Sequence, residues 1–287
     1  MTGGRPLRIG LLALAAGLLL AAGWSGAATE RVLRLADRQE IDFAAMVRES
    51  AAATFIFLAE NHPEPEHHAA QLAFIRELAG TGRPLAIGLE MFTSDSQPLL
   101  DRWVAGKLSP AAFRQAFERD WRMPYELYRE IFDYAREQRI PLIGLNLPTA
   151  ITRKVAREGF AALSPAERRL LPKGITCSVS PTYRQIVRQA FAGHAMGDRE
   201  FEHFCEAQVL WNRNMASRLQ HYRMQHRGHT VVALVGVGHA LKQGVPVELA
   251  TDPGRVRVIL PEIRGLNRDN VSRDDGDYLL LFPAIGR

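Results

Sequence analysis

The sequence predicts an α/β domain: a mostly parallel central sheet flanked by helices, with a helical cap over the carboxyl ends of the strands. Three observations carry this. Four short runs are apolar without alternation: TFIFLAENH (Thr54 to His62), PLAIGLEMF (Pro84 to Phe92), IPLIGLNLP (Ile140 to Pro148) and VVALVGVGHA (Val231 to Ala240). That is the pattern of strands buried on both faces. Stretches of helical periodicity alternate with these runs. Two strand-free stretches, about 94–138 and 149–224, supply the helices of the cap.

In chain order, residues 1–28 read as a secretory leader. Arg5 and Arg8 form a positive start, IGLLALAAGLLLAAG an apolar middle, and Ser25, Gly26, Ala27 and Ala28 a small-residue cleavage site. The apolar run is shorter than the ~20 residues of a membrane span, so export with cleavage is expected. Residues 29–287 are then expected to form a single domain. The net charge is +5; the leader contributes two arginines and no acid, leaving about +3. The basic residues are scattered and mostly arginine, so no nucleic-acid surface is read. The two cysteines, Cys177 and Cys205, are either joined or free and buried; spacing alone does not choose.

A lead-in with one helix, Asp42 to Ala51, precedes the first strand. Glu64 to Gly80 is an amphipathic helix with an apolar stripe of Leu72, Phe74, Ile75 and Leu78, ended by Gly80 and Gly82. The second strand is Leu85 to Glu90. Ser94 to Gln138 is helical in pattern, broken at Pro98, Ser109-Pro110 and Pro124, and the third strand is Pro141 to Asn146. Thr149 to Met224 shows only helical patterns, interrupted around Leu171 to Pro181, with Ser164 as an N-cap before Pro165. Val231 to Gly236 is the last strong strand; Arg255 to Ile259 reads as another and Tyr278 to Phe282 as an edge strand.

Functional groups on parallel sheets sit just past the strand carboxyl ends. Glu60, His62, Glu90, Asn146 and His239 are therefore expected on one rim. Residues two apart on a strand share a side, so Glu60 and His62 face one pocket. Glu64, Glu66, His67 and His68 follow closely, a concentration of metal ligands or acid–base groups without a strict ligand spacing such as HExxH. At least one of His67 and His68 is expected to point away. Glu90, ending an otherwise apolar strand, needs a partner: metal, arginine or histidine. Asn146 is expected to cap the helix that starts at Pro148. In Gly236-Val237-Gly238-His239, two glycines let the backbone turn and deliver His239 to the strand end. Tyr183, His194, Met196 and His203 bring side chains of the kinds that ligate haem iron, though their spacing alone shows nothing.

Taken together, LAENHPEPEHHAAQ with Glu60, His62, His68 and Gln71, AIGLEMF with Glu90, DWRMPYELYREIFDYAREQRIPLIGLNLP, AFAGHAMGDREFEHFCEAQVLWNRNMA and ALVGVGHA with His239 form an ordered set. The set resembles the ChaN-type haem-binding uptake proteins of the Tiki superfamily, which also holds TraB-like and erythromycin-esterase-like members. It runs from about Phe55 to about Leu260. The resemblance implies an exported haem-binding protein acting in haem or iron acquisition. It implies haem held flat against the cap or between the subunits of a homodimer, and an outer-membrane haem receptor as a candidate partner. Tyr183 and His194 fall in the matching region as candidate axial ligands, with Arg184 and Arg188 to meet the propionates. The superfamily's metal-site residues map onto Glu60, His62, Glu90 and His239. Ala59 stands where the family usually has glycine, and the lipid-attachment cysteine of many exported relatives is missing. The alternative is a metal-dependent hydrolase, with Glu60, His62 and His239 holding a divalent ion and Glu90 as general base.

Overall fold

The computed structural model describes residues 31–169, 171–191 and 197–282, without the side chains of residues 182, 186, 189, 190 and 191. The expected leader and His194 lie outside the described residues. An eight-stranded sheet runs in the order β2-β1-β8-β7-β3-β6-β4-β5. Its strands are β1 (Arg31–Arg34), β2 (Glu40–Asp42), β3 (Phe55–Glu60), β4 (Leu85–Thr93), β5 (Leu142–Asn146), β6 (Thr230–Gly236), β7 (Val256–Pro261) and β8 (Tyr278–Leu281). From β8 to β5 every neighbouring pair is parallel; β1 is antiparallel to both β8 and β2. The expected mostly parallel sheet is thus observed. The β1–β2 hairpin was not foreseen, because four and three residues with polar ends carry little periodic signal.

The central strands β3 and β6 are buried at every position, so both faces must be covered by apolar layers. On one face Ile56, Leu58, Ile87, Leu89, Val232 and Leu234 pack under α1 (Phe43–Ser50), α2 (Pro65–Gly80), α3 (Gln97–Val104), α4 (Pro110–Asp120) and α5 (Arg129–Glu137). The alternate residues Phe57, Ala59, Ile143, Leu145, Ala233 and Val235 pack against Met215, Ala216 and Leu219 of α9 (Asp198–Gln225). The stretch 94–138 is therefore a flanking layer and not part of a cap. Its helical period was legible, but the face it covers depends on where Trp103, Phe113, Phe117 and Phe132 find a partner, and that partner is the sheet.

The second stretch divides. At 1.5 Å per residue the 28 residues of α9 span about 42 Å, longer than the strands. Its carboxyl-terminal half flanks the sheet. Its amino-terminal half runs past β5 and forms two small clusters of its own with α6 (Thr149–Glu158) and α8 (Pro181–Phe191), with the short α7 (Pro165–Arg169) between them in the chain. Ser164 caps α7 as expected: its Oγ accepts from the Glu167 N–H at 3.2 Å, while the Glu167 carboxylate accepts from the Ser164 N–H at 2.6 Å. A disulfide joins Cys177 to Cys205, tying the segment before α8 to α9. At the far edge Gln97 covers β5, donating to the Leu142 carbonyl at 2.7 Å and accepting from the Gly144 N–H at 3.1 Å. The sheet edge is blunted there by a side chain acting as strand. No helix among the described residues is long and apolar enough to cross a membrane.

Candidate functional site

The carboxyl ends of β3, β4, β5 and β6 meet at one rim, as expected, but their acids point to opposite faces. The strand period of two puts Glu60 on the same side as Ile56 and Leu58. There its carboxylate, fully buried, enters a polar cluster built by α2 and by Tyr128 ahead of α5. Oε1 accepts from His62 Nδ1 at 2.7 Å and from the Tyr128 hydroxyl at 2.6 Å. Oε2 accepts from Gln71 Nε2 at 2.9 Å, with His68 Nδ1 at 3.5 Å. His68 Nε2 donates to the His62 carbonyl at 2.9 Å. Burial alone would raise the Glu60 carboxyl. The hydrogen bond from His62, the charge on His68 and the Tyr128 hydroxyl outweigh it and hold the group below the usual carboxylate range. Burial likewise works against the His62 imidazolium, yet the Glu60 hydrogen bond and the Glu90 and Glu60 charges lift it above the ordinary imidazole value.

Glu90 takes the other face. Its Oε2 accepts from the Gly236 N–H at 2.7 Å and its Oε1 lies 3.7 Å from His239 Nε2. His239 follows β6 in the short helix α10 (Val237–Ala240). His239 Nδ1 is 2.7 Å from Asn212 Oδ1, an acceptor, so Nδ1 carries the proton. Burial holds His239 below its ordinary value, and the His62 charge adds to that against the pull of Glu90. Asn212 Nδ2 donates to the Tyr183 hydroxyl at 2.7 Å. A chain of polar contacts thus runs from the rim through His239 and Asn212 to α8. Asn146 corrects its expectation: it caps no helix. Its amide donates to the Glu90 carbonyl at 2.9 Å and its oxygen accepts from Trp211 Nε1 at 2.8 Å, fastening α9 to the ends of β4 and β5.

Glu60, His62, Glu90 and His239 are brought together, with His68 joining them. Both His67 and His68 are buried, so neither takes the outward position expected of one. The divalent-ion expectation does not carry over: Glu60 spends both oxygens on neighbouring side chains, and Glu90 binds a backbone N–H. Among the described residues no group of three or more His, Cys, Asp or Glu is placed to hold a metal ion. Tyr183 is buried in a cluster with Val187, Phe201 and Cys205, where burial pushes its hydroxyl up to about 12. Arg184 pairs with Glu202, and Arg188 lies 4.2 Å over the Phe201 ring and 3.9 Å from Asp198. Tyr128 and Asn212 were missed. Asn212 and Asn214, both buried on the apolar face of α9, were the signal for the second.

His67 gives the rim a pH dependence. Its Nδ1 accepts from the Asn61 N–H at 2.9 Å, and burial together with the His68 charge lowers it to about 4. A histidine depressed in the fold adds stability that is complete above 6.5 and lost as pH falls from there through about 4. Wild-type stability is expected to fall over that window by at most about 3 kcal/mol. His67→Gln, which retains an acceptor, should flatten the loss in urea titrations at pH 7 and pH 4.5; equal slopes in the two proteins would remove His67 from the account.

A model of the haem-binding uptake family, ChaN type, Tiki superfamily, matches residues 46–249. Among solved structures the chain is similar to ChaN of Campylobacter jejuni with cofacial haem, with a TM-score of 0.70 at 19% identity over 88% of this chain and 97% of that one. It is also similar to a mutant of the erythromycin esterase EreC in its open conformation, with a TM-score of 0.50 at 14% identity over 80% of this chain and 76% of that one. At these identities the solved structures speak for the fold. No curated protein matches the sequence. The family match takes in β3 through α10 and every rim residue described above, and on that match the chain belongs to the ChaN-type haem-binding uptake family of the Tiki superfamily.

Proposed function

We propose that this protein binds haem outside the cytoplasm and serves haem or iron acquisition. The observation that supports this best is the family match across residues 46–249. The residues expected to hold haem fit unevenly. Tyr183 does not fit as an iron ligand where it stands: its hydroxyl is buried, accepts from Asn212, and is hard to ionise. The reading therefore puts iron ligation on His194, just past the end of α8. Arg184 and Arg188 on α8 are half-buried and exposed respectively, each with a carboxylate beside it that a propionate would displace. Haem bound there supplies an iron centre and two anionic arms. The chain's own part would be to offer the His194 imidazole and the guanidinium groups of Arg184 and Arg188 on α8.

The solved relative carries haem in a cofacial arrangement; for this chain we propose a homodimer around haem. The test is a ferric haemin titration of the protein lacking residues 1–28, followed by absorbance and by light scattering. Expected are a saturable Soret shift, loss of most affinity in His194→Ala, near-native affinity in Tyr183→Phe, and a doubling of mass only with haem. A titration indistinguishable from buffer would sink the reading. Loss of binding in Tyr183→Phe alone would return the iron to Tyr183 and require α8 to turn.

A further inference from the structure

The two sulfurs of the Cys177–Cys205 bridge stand in different surroundings. Cys205, on α9, is fully buried against Tyr183, Val187 and Phe201. Cys177 is only half-buried and sits in a run without helix or strand, 171–180, in which Thr176, Ser178 and Ser180 are exposed. Among the described residues no backbone–backbone hydrogen bond ties residues 176–179 to any neighbour. One cation meets the more open sulfur. Arg184 of α8 donates from Nη1 to Cys177 Sγ at 3.1 Å and to the Cys177 carbonyl at 3.4 Å. Its other amino group, Nη2, is held by Glu202, and its guanidinium lies 4.9 Å over the Phe201 ring, which Arg188 also covers. The guanidinium is thus fixed from two sides with one nitrogen aimed at the sulfur.

From this arrangement we infer that the bridge is a thiol–disulfide exchange site, in which a dithiol protein attacks Cys177 and Arg184 holds the thiolate that Cys177 becomes. The inference does not rest on haem binding. A half-exposed sulfur beside a fixed cation is open to exchange, whereas one shut in a core is not. In the first step the partner's thiolate bonds to Cys177 Sγ. The electron pair of the old S–S bond leaves on Cys205 Sγ, which takes the proton of the partner's second thiol; its apolar surroundings favour the neutral form. In the second step that second sulfur, now a thiolate, attacks the partner's first sulfur, and the electron pair leaves on Cys177 Sγ beside Arg184. The partner ends as a disulfide, and the bridge ends as a Cys205 thiol and a Cys177 thiolate. A stabilised thiolate leaves faster, so Arg184 acts on the second step and on the equilibrium. A monothiol would be expelled again by Cys205, so net reduction takes a dithiol. The partner is a protein because residues 176–179 offer backbone groups that an extended-chain reader can pair with.

The experiment uses the oxidised protein lacking residues 1–28, without haem, and a thioredoxin-type protein as the probe. A probe with its second active-site cysteine changed to serine, in excess and followed by an acid quench, should give a mixed disulfide in buffer without urea. Peptide mass mapping should place it on Cys177. With the two-cysteine probe, Arg184→Gln should lower the equilibrium constant for reduction about tenfold, and Arg184→Lys should recover most of that loss. Arg157→Gln, which changes an exposed arginine on α6, should exchange as wild type does. The mapping needs no variant of this chain, so it decides even if Arg184→Gln fails to fold. An adduct on Cys205, or one that forms only where urea unfolds the sheet, would overturn the proposal. So would a folded Arg184→Gln protein with the wild-type equilibrium constant.

Discussion

Glu60→Ala is expected to cost the fold about 3–5 kcal/mol, the range for removing one member of a buried charged network while its partners stay. Four side chains converge on this carboxylate: His62, Tyr128, Gln71 and His68. Only His62, with 30% of its side chain exposed, has water to turn to. Tyr128 is fully buried, and His68 and Gln71 nearly so. Truncation leaves the Tyr128 hydroxyl and the Gln71 amide each short of an acceptor, and each buried orphan costs about 1–3 kcal/mol. Glu60→Gln keeps an oxygen for Tyr128, so its cost should fall to about 1–3 kcal/mol. Urea unfolding of both variants, with Tyr128→Phe and the double variant, makes the check. The Glu60–Tyr128 coupling in that cycle should be between about 0.5 and 3 kcal/mol. A Glu60→Ala protein within 1 kcal/mol of wild type, the scale of a single exposed ion pair, would mean that water reaches the cluster and the network is not what holds the rim.

Such a network is only half legible in a sequence, and the two halves differ physically. Glu60, His62, Glu90 and His239 could be found because a polar residue ending an apolar strand is a local anomaly, and parallel strands share one functional end. That the two acids point to opposite faces follows from the strand period once register is known, and register comes from pairing: Glu60 lies opposite Gly236. Tyr128 is another matter. It lies 68 residues from Glu60, in a stretch whose pattern says helix and nothing about partners. The same blindness turned residues 94–138 into an expected cap. Amphipathic period identifies a face to be buried, whereas the choice between covering a sheet and covering its end is made by packing. Asn146 shows a local rule losing to a tertiary one. Its position before Pro148 suits a cap, but Trp211 and the Glu90 carbonyl offer two partly buried hydrogen bonds where a cap offers one.

Cys177 and Cys205 were left open by the sequence, and their joining leads to the last large effect. The bridge closes a loop with a sequence separation of 28, for which the chain-entropy relation gives about 3–4 kcal/mol. Where that energy acts matters more than its size. The clusters around α6–α8 are separate from the two that cover the sheet, so this end of the molecule can open while the sheet stays folded. In Cys177→Ser/Cys205→Ser, or in wild type under dithiothreitol, amide protection in α8 is expected to fall by about a hundredfold or more, while β3 and β6 keep theirs; a tenfold change corresponds to about 1.4 kcal/mol. Opening would also take Tyr183 off Asn212, so that the amide that fixes the His239 tautomer loses its own partner. Reduction should therefore expose Tyr183 to solvent, read as a fall of its phenol ionisation from about 12 toward the free value. Uniform loss of protection across α8 and the sheet would show instead that the bridge holds the whole fold and that the α6–α8 end has no independence.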